Sequence, residues 1–161
     1  MPLASRRALG YPGAMARVEI QLPDSFPFST EIPVRITDLN YGGHVGNDAI
    51  LSIVHEARVR FLAAHGWKEQ DVAGPGIIMA DAAIVYRAEG FHGMVLKVEV
   101  AVADVRSRAC DLVHRITDVA TGTEIARVKT GIVFFDYATR RVVTVPAPFR
   151  AAFAPAGPER R

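Results

Sequence analysis

The sequence predicts an α+β fold in which one long central helix is wrapped by a curved antiparallel sheet of about five strands. The first observation is a single stretch, residues 47–65, whose apolar residues recur at the helical spacing of three and four. The second is the alternation of apolar and polar residues between residues 77 and 137. The links between these alternating runs are too short for the crossover of a dozen or more residues that parallel strands require.

The composition is that of a globular, one-domain protein. Of the 161 residues, 50% are hydrophobic and 22% are charged, close to globular averages. The net charge of +2 favours neither nucleic acid nor a membrane surface as a partner. No apolar run reaches the roughly 18 residues of a membrane span, so no membrane insertion is predicted. The single cysteine, Cys110, excludes an internal disulfide and a cysteine metal cluster. We expect a cytoplasmic protein without a metal or other cofactor.

Both ends of the chain differ from its middle. Residues 1–30 contain four prolines and no sustained period, and are interpreted as a partly irregular arm. Residues 146–161 also contain four prolines, which cannot donate ladder hydrogen bonds, and are interpreted as a tail on or off the domain. The domain itself is predicted over residues 31–145.

The basic start of the arm leaves more than one interpretation open. Arg6 and Arg7 are not followed by the apolar segment of a secretory signal peptide. We favour a true start at Met15 instead of Met1, or a frayed arm. A mitochondrial transit peptide is the alternative, because no acidic residue precedes Arg17.

A strand and the long helix open the domain. Glu31–Asp38 alternates between apolar and polar residues, as a half-buried strand does. Asn47 or Asp48 is predicted to cap the helix, which ends at His65 because a glycine follows. A helix of this length spans about 28 Å, enough to cross the whole domain.

Four further strands follow the helix, and Gly131 is a candidate bulge that would let the last one bend. A sheet with one free face and one free edge needs cover. We therefore expect a dimer, possibly a dimer of dimers. The predicted strands are Ile77–Arg87, Met94–Val105, Arg108–Asp118 and Glu124–Tyr137.

The segment that enters the helix, residues 38–48, combines polar side chains with three glycines. The first N–H groups of a helix have no helical partner and carry partial positive charge. Such an end suits an anion, or an oxygen that becomes one during acyl transfer. A purely structural turn with a cap is the alternative.

The same residues resemble the motif of hotdog-fold acyl thioesterases, relatives of 4-hydroxybenzoyl-CoA thioesterase. The family pattern is D-x-D-x-x-G-H-V-N-N, followed on the helix by an E-A-R segment. The resemblance implies a hotdog fold, hydrolysis of an acyl-CoA or acyl-ACP thioester, and active sites at a dimer interface. The matching residues are Asp38-x-Asn40-x-x-Gly43-His44-Val45-x-Asn47 and Glu56-Ala57-Arg58.

Carried over residue by residue, the resemblance assigns roles in the loop and shows two departures, Asn40 at the catalytic position and Gly46 in place of the first asparagine. Asn40 stands where the family has its catalytic aspartate, and an amide positions water or the carbonyl but is no base. His44 matches the family's histidine, and Asn47 offers the backbone N–H that polarises the thioester carbonyl. Gly43 and Gly46 are expected at the loop that holds the substrate.

Another carboxylate must then act as the base, and Glu56, Asp38 and Asp48 are the candidates. Glu56 borders the apolar stripe of the helix; the alternative is a surface pair with Arg60 at i,i+4. Asp38 ends a strand, where it orders the loop if it is not catalytic. Asp48 suits the helix dipole.

Other residues with chemical potential have ordinary explanations beside the functional ones. Arg106 and Arg108 flank a hairpin tip, where they would meet the phosphates of coenzyme A or simply be solvated. Asp81, in an apolar strand, faces the site across the dimer or sits at an edge. The five histidines share no ligand spacing, and Cys110 has no visible activator.

Two other functions compete with thioester hydrolysis. A hotdog dehydratase or hydratase would be expected to carry an H-F-P-x-H-P loop, which the sequence lacks. A non-catalytic dimer that binds acyl thioesters is favoured by Asn40. We predict the thioesterase.

Overall fold

A computed structural model of the protein describes residues 18–154. Residues 18–154 fold as one sheet with two helices and a 3₁₀ turn at Ile36–Asp38. The elements are β1 Phe28–Pro33, α1 Asn47–Ala64, β2 Gly76–Tyr86, β3 Val95–Ala103, β4 Ala109–Asp118, β5 Glu124–Asp136, β6 Arg141–Val142 and α2 Ala147–Phe153.

The sheet is antiparallel, with strand order β1-β3-β4-β5-β2, and the short β6 pairs with β5. Its inner face and α1 share one core, in which Val54, Phe61, Val98, Leu112 and Phe134 are almost completely buried. This is the hotdog fold, so the predicted α+β architecture is confirmed. Because β1 and β2 are the outer strands of the main path, each leaves one side of its backbone without a strand in the described part of the chain.

The long helix agrees with its prediction to within one residue at each end. α1 covers 18 residues, and His65 is its C-cap rather than its last residue. The predicted cap at Asn47 or Asp48 is wrong, because Gly46 takes the N-cap position with extended backbone and without a side-chain hydrogen bond. A Cβ atom at Gly46 would lie 2.6 Å from Asp48 Oδ1, so a side chain there would displace the exposed Asp48 carboxylate.

The first strand was predicted too far along the chain. β1 ends at Pro33, and Ile36, which lies within the predicted strand, is 68% exposed. The reason is local: the Arg35 N–H donates to Asp38 Oδ2 at 2.8 Å, which closes the 3₁₀ turn. Such side-chain to backbone bonds compete with the strand ladder.

The predicted bulge lies in the neighbouring strand. The register slips between Met79 and Asp81, so that Ala80 in β2 is the extra residue and Gly131 in β5 faces the irregularity. A Cβ atom at Gly131 would lie 2.7 Å from Asp81 Oδ2. Glycine therefore makes room for the Asp81 carboxylate, which is exposed and pairs with Lys129 at 2.8 Å.

The described parts of both terminal segments pack on the domain. Part of the segment predicted as a tail is instead the helix α2. Its Phe149 is fully buried, with its ring 5.6 Å from that of Trp67 and 5.0 Å from that of Phe134. In the arm, Phe26 lies under the Arg115 guanidinium at 5.1 Å. The predictions for residues 1–17 and 155–161 lie outside the described residues.

Candidate active site

The loop that leads into α1 is held by its own backbone. The Gly46 N–H donates to the Asp38 carbonyl at 2.9 Å, and the Asn40 N–H donates to the His44 carbonyl at 3.0 Å. The Val45 N–H reaches out to the Gly90 carbonyl at 2.8 Å, in the connection between β2 and β3. These bonds fix the loop against the sheet, so the side chains it carries have defined positions.

Asp38 anchors this loop through an ion pair. Its carboxylate is 5% exposed and accepts from Arg35 Nη2 at 3.1 Å. Burial alone raises the pKa of Asp38, but the hydrogen bonds from the Arg35 side chain and backbone outweigh burial and hold that pKa below its usual value. A carboxylate stabilised in its charged form is a weak base. The contacts of Asp38 therefore fit the alternative interpretation, in which this residue orders the loop.

The side chains of Asn40 and His44 both lie beside Gly42. Asn40 Oδ1 accepts the Gly42 N–H at 2.9 Å, which leaves the side-chain NH₂ as its donor. A Cβ atom on Gly42 would lie 2.8 Å from His44 Nε2 and 3.2 Å from Asn40 Oδ1. Glycine at position 42 therefore leaves free the space that both side chains border.

Glu89 stands beside the histidine, and sequence analysis missed it. Its Oε1 lies 3.8 Å from His44 Nε2, and both side chains are partly exposed. Glu89 belongs to the β2–β3 connection, about 45 residues from the loop, and the sequence indicated only a turn there. The contact arises because Gly90 packs on Val45, where a Cβ atom would lie 2.9 Å from Val45 Cγ2.

The first turn of α1 presents an open donor. The Asn47 N–H has no hydrogen-bond partner among residues 18–154, whereas the Asp48 N–H is used by Asn47 Oδ1 at 2.9 Å. The Tyr86 hydroxyl donates to the Asn47 carbonyl at 3.0 Å. Burial, and then the negative charge of Asp48, raise the pKa of Tyr86, so the phenol stays protonated and holds β2 to the start of α1.

Glu56 lies on α1, on the side of the helix that is opposite to Asn47. Nine residues separate it from Asn47, which is half a turn around the helix at 100° per residue. Its half-exposed carboxylate accepts from Arg60 Nε at 2.7 Å, and Arg60 also donates to the Glu31 carbonyl. The surface pair considered from the sequence is thus present.

The two arginines predicted for coenzyme A phosphates lie at the opposite end of the sheet from the loop. Arg106 and Arg108 occupy the β3–β4 turn, whereas the loop packs near the connection that enters β3. Arg106 pairs with Asp111 at 3.0 Å and Asp104 at 3.3 Å. Within one protomer, the structure does not bring either arginine to the loop.

A second group of residues escaped the sequence analysis. Arg58, 6% exposed on α1, donates from Nε to Glu69 Oε1 at 2.6 Å, and His55 Nε2 lies 3.0 Å from Glu69 Oε2. Burial raises the pKa of Glu69, but the hydrogen bonds from Arg58 and His55 together lower it by more, so its pKa lies below the usual value. Glu69 lies beyond the end of the helix, where no periodicity marks it.

Comparison with known proteins identifies the family. A family model described as the thioesterase-like superfamily matches residues 34–153, from the end of β1 to the end of α2. The chain belongs to the thioesterase-like superfamily. No curated protein matches it.

Solved structures of proteins named as thioesterases have the same fold. Slr0204 from Synechocystis, a 1,4-dihydroxy-2-naphthoyl-CoA thioesterase, is 22% identical over 78% of this chain and 93% of its own, with a TM-score of 0.71. PA2801 from Pseudomonas aeruginosa, a putative thioesterase, is 24% identical over 80% and 98%, with a TM-score of 0.72. BH1999, a gentisyl-coenzyme A thioesterase, is 19% identical over 79% and 100%, with a TM-score of 0.68.

Within residues 18–154, this member of the superfamily has neither a membrane-spanning helix nor a group of metal-binding side chains. No helix there is long and apolar enough to cross a bilayer. No three His, Cys, Asp or Glu side chains in the same range are grouped to hold a metal ion.

Proposed function

We propose that the protein hydrolyses an acyl thioester of coenzyme A or of acyl carrier protein, giving a carboxylic acid and a thiol. The observation that carries the proposal is the unpaired Asn47 N–H at the start of α1, next to the loop that fixes His44. Membership of the thioesterase-like superfamily supports the reaction type. Two structurally similar proteins are named as coenzyme A thioesterases, which supports the carrier.

The reaction begins with the thioester carbonyl oxygen accepting the Asn47 N–H. Water attacks the carbonyl carbon, and the oxygen becomes an oxyanion held by that donor, in the field of the helix N-terminus. The Asn40 amide positions the water. The C–S bond then breaks, and His44 delivers a proton to the departing thiolate, a role that imidazole fills near neutral pH.

The proton taken from water goes to a carboxylate, for which we propose Glu56. Glu56 lies on the side of α1 that faces β1, where Arg60 also donates to two residues of that strand. The hydrogen bond and charge of Asp38 raise the pKa of Arg35, and the negative charge of Glu56 adds to that rise. Since Arg35 pairs with Asp38 at the start of the loop, the proposed proton acceptor is the Glu56 of the same protomer.

A dimer is part of the proposal because of the carrier. The coenzyme A phosphates would meet Arg106 and Arg108 of the partner subunit, since the loop's own protomer holds these arginines at its far end.

The free edge of β2 is the surface proposed to form this dimer. Along its 11 residues β2 pairs with β5 on one side and with no strand on the other within residues 18–154. The exposed side chains Met79, Ala80, Asp81 and Ala82 lie along it. Long, apolar, unpaired edges associate with other strands, and two copies would continue the sheet across a two-fold axis.

The decisive experiment is release of free thiol from a panel of short, long and aromatic acyl-CoA and acyl-ACP thioesters. His44→Ala is expected to lower turnover at least about 100-fold on any thioester that the wild type hydrolyses, with the melting temperature unchanged. His92→Ala, a change to a histidine in the turn before β3, is the matched control and should retain full activity. Unchanged kinetics in His44→Ala would reduce His44 to a packing residue.

Asn40 favours one other function, a dimer that binds acyl thioesters without hydrolysing them. The same panel separates the two functions. Measurable binding of acyl-CoA with no thiol release from any member would support the binding protein. Turnover of one member excludes it.

A further inference from the structure

Glu89 and His44 form a pair that two distant parts of the chain bring together. Glu89 Oε1 lies 3.8 Å from His44 Nε2, and both side chains are partly exposed. Among residues 18–154, neither side chain has another partner of opposite charge. The loop before α1 and the connection between β2 and β3 therefore meet in one exclusive charge contact.

The backbone under this pair is fixed, so the contact does not depend on two loose side chains. The residues that follow the pair, Val45 and Gly90, are joined by the hydrogen bond of 2.8 Å from the Val45 N–H to the Gly90 carbonyl. On the other side of Glu89, the Ala88 N–H donates to a carbonyl of β5 at 3.2 Å. Glu89 is thus held through both of its neighbours, against the loop and against the sheet.

The carboxylate of Glu89 is also free of arginine, unlike those of several other glutamates. Three partly buried glutamates each accept a hydrogen bond of 2.5 or 2.6 Å from an arginine Nε. Such bonds neutralise the carboxylate and fix it in a structural role. No cation other than the His44 ring competes for Glu89 within residues 18–154. The three neutralised pairs are Glu69 with Arg58, Glu99 with Arg115 and Glu124 with Arg127.

The other carboxylates near His44 do not replace Glu89. Asp38, at the start of the loop, is neutralised by Arg35 at 3.1 Å. Asp48, in the first turn of α1, lies beside Gly46 and makes no ion pair with the ring. Glu89 is consequently the one described carboxylate placed to act on His44.

The chemistry proposed for His44 gives this contact a use. A ring that protonates a departing thiolate must carry its proton, and hence a positive charge, when the C–S bond breaks. A carboxylate next to an imidazolium stabilises that charge and directs the ring. Catalytic hydrogen bonds are often long before substrate binds and shorten in the complex, so a separation of 3.8 Å suits this role.

We propose that Glu89 is a positioning residue that acts through His44, by holding its imidazolium charged and directed until the thiolate leaves. This inference rests on the proposed thioesterase function and adds a residue of the β2–β3 connection to it. The proton passes from the ring to the sulfur as the C–S bond breaks, and the ring becomes neutral. Solvent then restores the proton, while Glu89 keeps its charge throughout.

The test is Glu89→Gln, which keeps the shape of the side chain and removes its charge. On a thioester that the wild type hydrolyses, kcat should fall at least about tenfold, while KM and melting temperature stay near those of the wild type. Glu89→Asp, which restores the charge, should recover most of the lost activity. Glu124→Gln removes a carboxylate that pairs with Arg87 at 3.5 Å; it is the matched control and should keep full activity.

Two further measurements separate action through His44 from any other role. In a double-mutant cycle, His44→Ala combined with Glu89→Gln should be no slower than His44→Ala alone, because Glu89 then has no ring to act on. The second measurement uses the S-(4-nitrophenyl) thioester of the same acyl group. Its thiolate is stabilised by the aromatic ring and leaves without a proton, so the wild type and Glu89→Gln should hydrolyse it equally fast.

The possible failures are distinguishable. No turnover of any thioester by the wild type would refute the proposed function. Wild-type turnover with an equally fast Glu89→Gln would refute this inference alone. A double variant slower than His44→Ala by the full Glu89→Gln factor would also refute it, because Glu89 would then act directly on water or substrate. A loss in Glu89→Gln that follows a lower melting temperature and is not recovered in Glu89→Asp would make the pair a structural contact.

Discussion

At the scale of single residues, the site divides into positions close in sequence and positions that only the fold brings near. Asn40, His44 and Asn47 lie within eight residues, so one motif was enough to predict all three. Glu89 reaches His44 only because Gly90 packs on Val45. Thr130 Oγ1 and His114 Nε2 are buried without hydrogen-bond partners, a property of the fold that no sequence pattern reveals.

The assignment of the base to Glu56 is tested by Glu56→Gln, which keeps the shape of the side chain and removes its charge. We expect most turnover to be lost, because no carboxylate then takes the proton from water, while substrate affinity and melting temperature stay near those of the wild type. Asn40→Asp, which restores the family's usual residue, should preserve or raise activity. Steady-state kinetics and thermal unfolding measure these effects.

Arg60→Gln is the matched control for this change. It breaks the same 2.7 Å ion pair but leaves the carboxylate in place, so it should retain activity. If both variants lose stability equally and both remain active, the Glu56–Arg60 contact is a surface pair and the base is another carboxylate.

At the scale of elements, the sequence predicted best those helices and strands whose apolar residues recur most regularly. α1 has 18 residues and one continuous apolar stripe, which tertiary contacts reinforce. β1 was misplaced because three hydrogen bonds from Arg35 to the Asp38 carboxylate turn the chain where the alternation of apolar and polar residues still continues. α2 was missed because prolines at 146 and 148 suggested a tail, although proline suits the first turn of a helix.

The helix α2 predicts a large effect from a single aromatic residue. Phe149→Ala should lower the free energy of unfolding by about 3–5 kcal/mol, because the ring is fully buried against Trp67 and Phe134. Urea unfolding measures the loss. Ala151→Ser, on the exposed side of α2, should change stability little. A small loss in Phe149→Ala would mean that α2 contributes little to the stability of the domain.

At the scale of the whole molecule, His114 links stability to pH. Its pKa falls from an unfolded value of about 6.5 to about 4 by burial. Between these values the unfolded chain binds a proton that the folded protein does not, so stability falls as pH falls from about 6.5 to about 4. The loss attributable to His114 between pH 7.5 and pH 5 is about 2 kcal/mol.

Urea unfolding of wild type and His114→Gln at these two pH values checks the link. The variant should lose about 2 kcal/mol less than the wild type on going to pH 5, whatever its stability at pH 7.5. His92→Gln should behave like the wild type. Equal pH dependence in wild type and His114→Gln would show that His114 is protonated in the folded protein.

The oligomeric state is the property least directly predicted from a single chain. The hydrogen-bond pattern of β2 nevertheless shows how to test it. The Arg87 N–H donates to the Ile125 carbonyl at 2.8 Å. Because hydrogen-bonded pairs alternate along an antiparallel ladder, residues 85, 83 and 81 point their N–H groups at β5. Those of Ala82 and Ile84 point to the free edge, where a second copy would pair with them.

Ala82→Pro removes one of these outward donors. Proline is tolerated on an edge strand when its position faces away from the neighbouring strand, so the protomer should stay folded by circular dichroism. Light scattering at micromolar concentration should then show a dimer for the wild type and for Ala82→Ser, which keeps the N–H, but a monomer for Ala82→Pro. Thiol release should fall at least about tenfold with the loss of the dimer, because each proposed site needs Arg106 and Arg108 of the partner subunit to hold the coenzyme A phosphates. A dimeric, fully active Ala82→Pro would place the interface elsewhere and would remove the reason for pairing β2 with its copy.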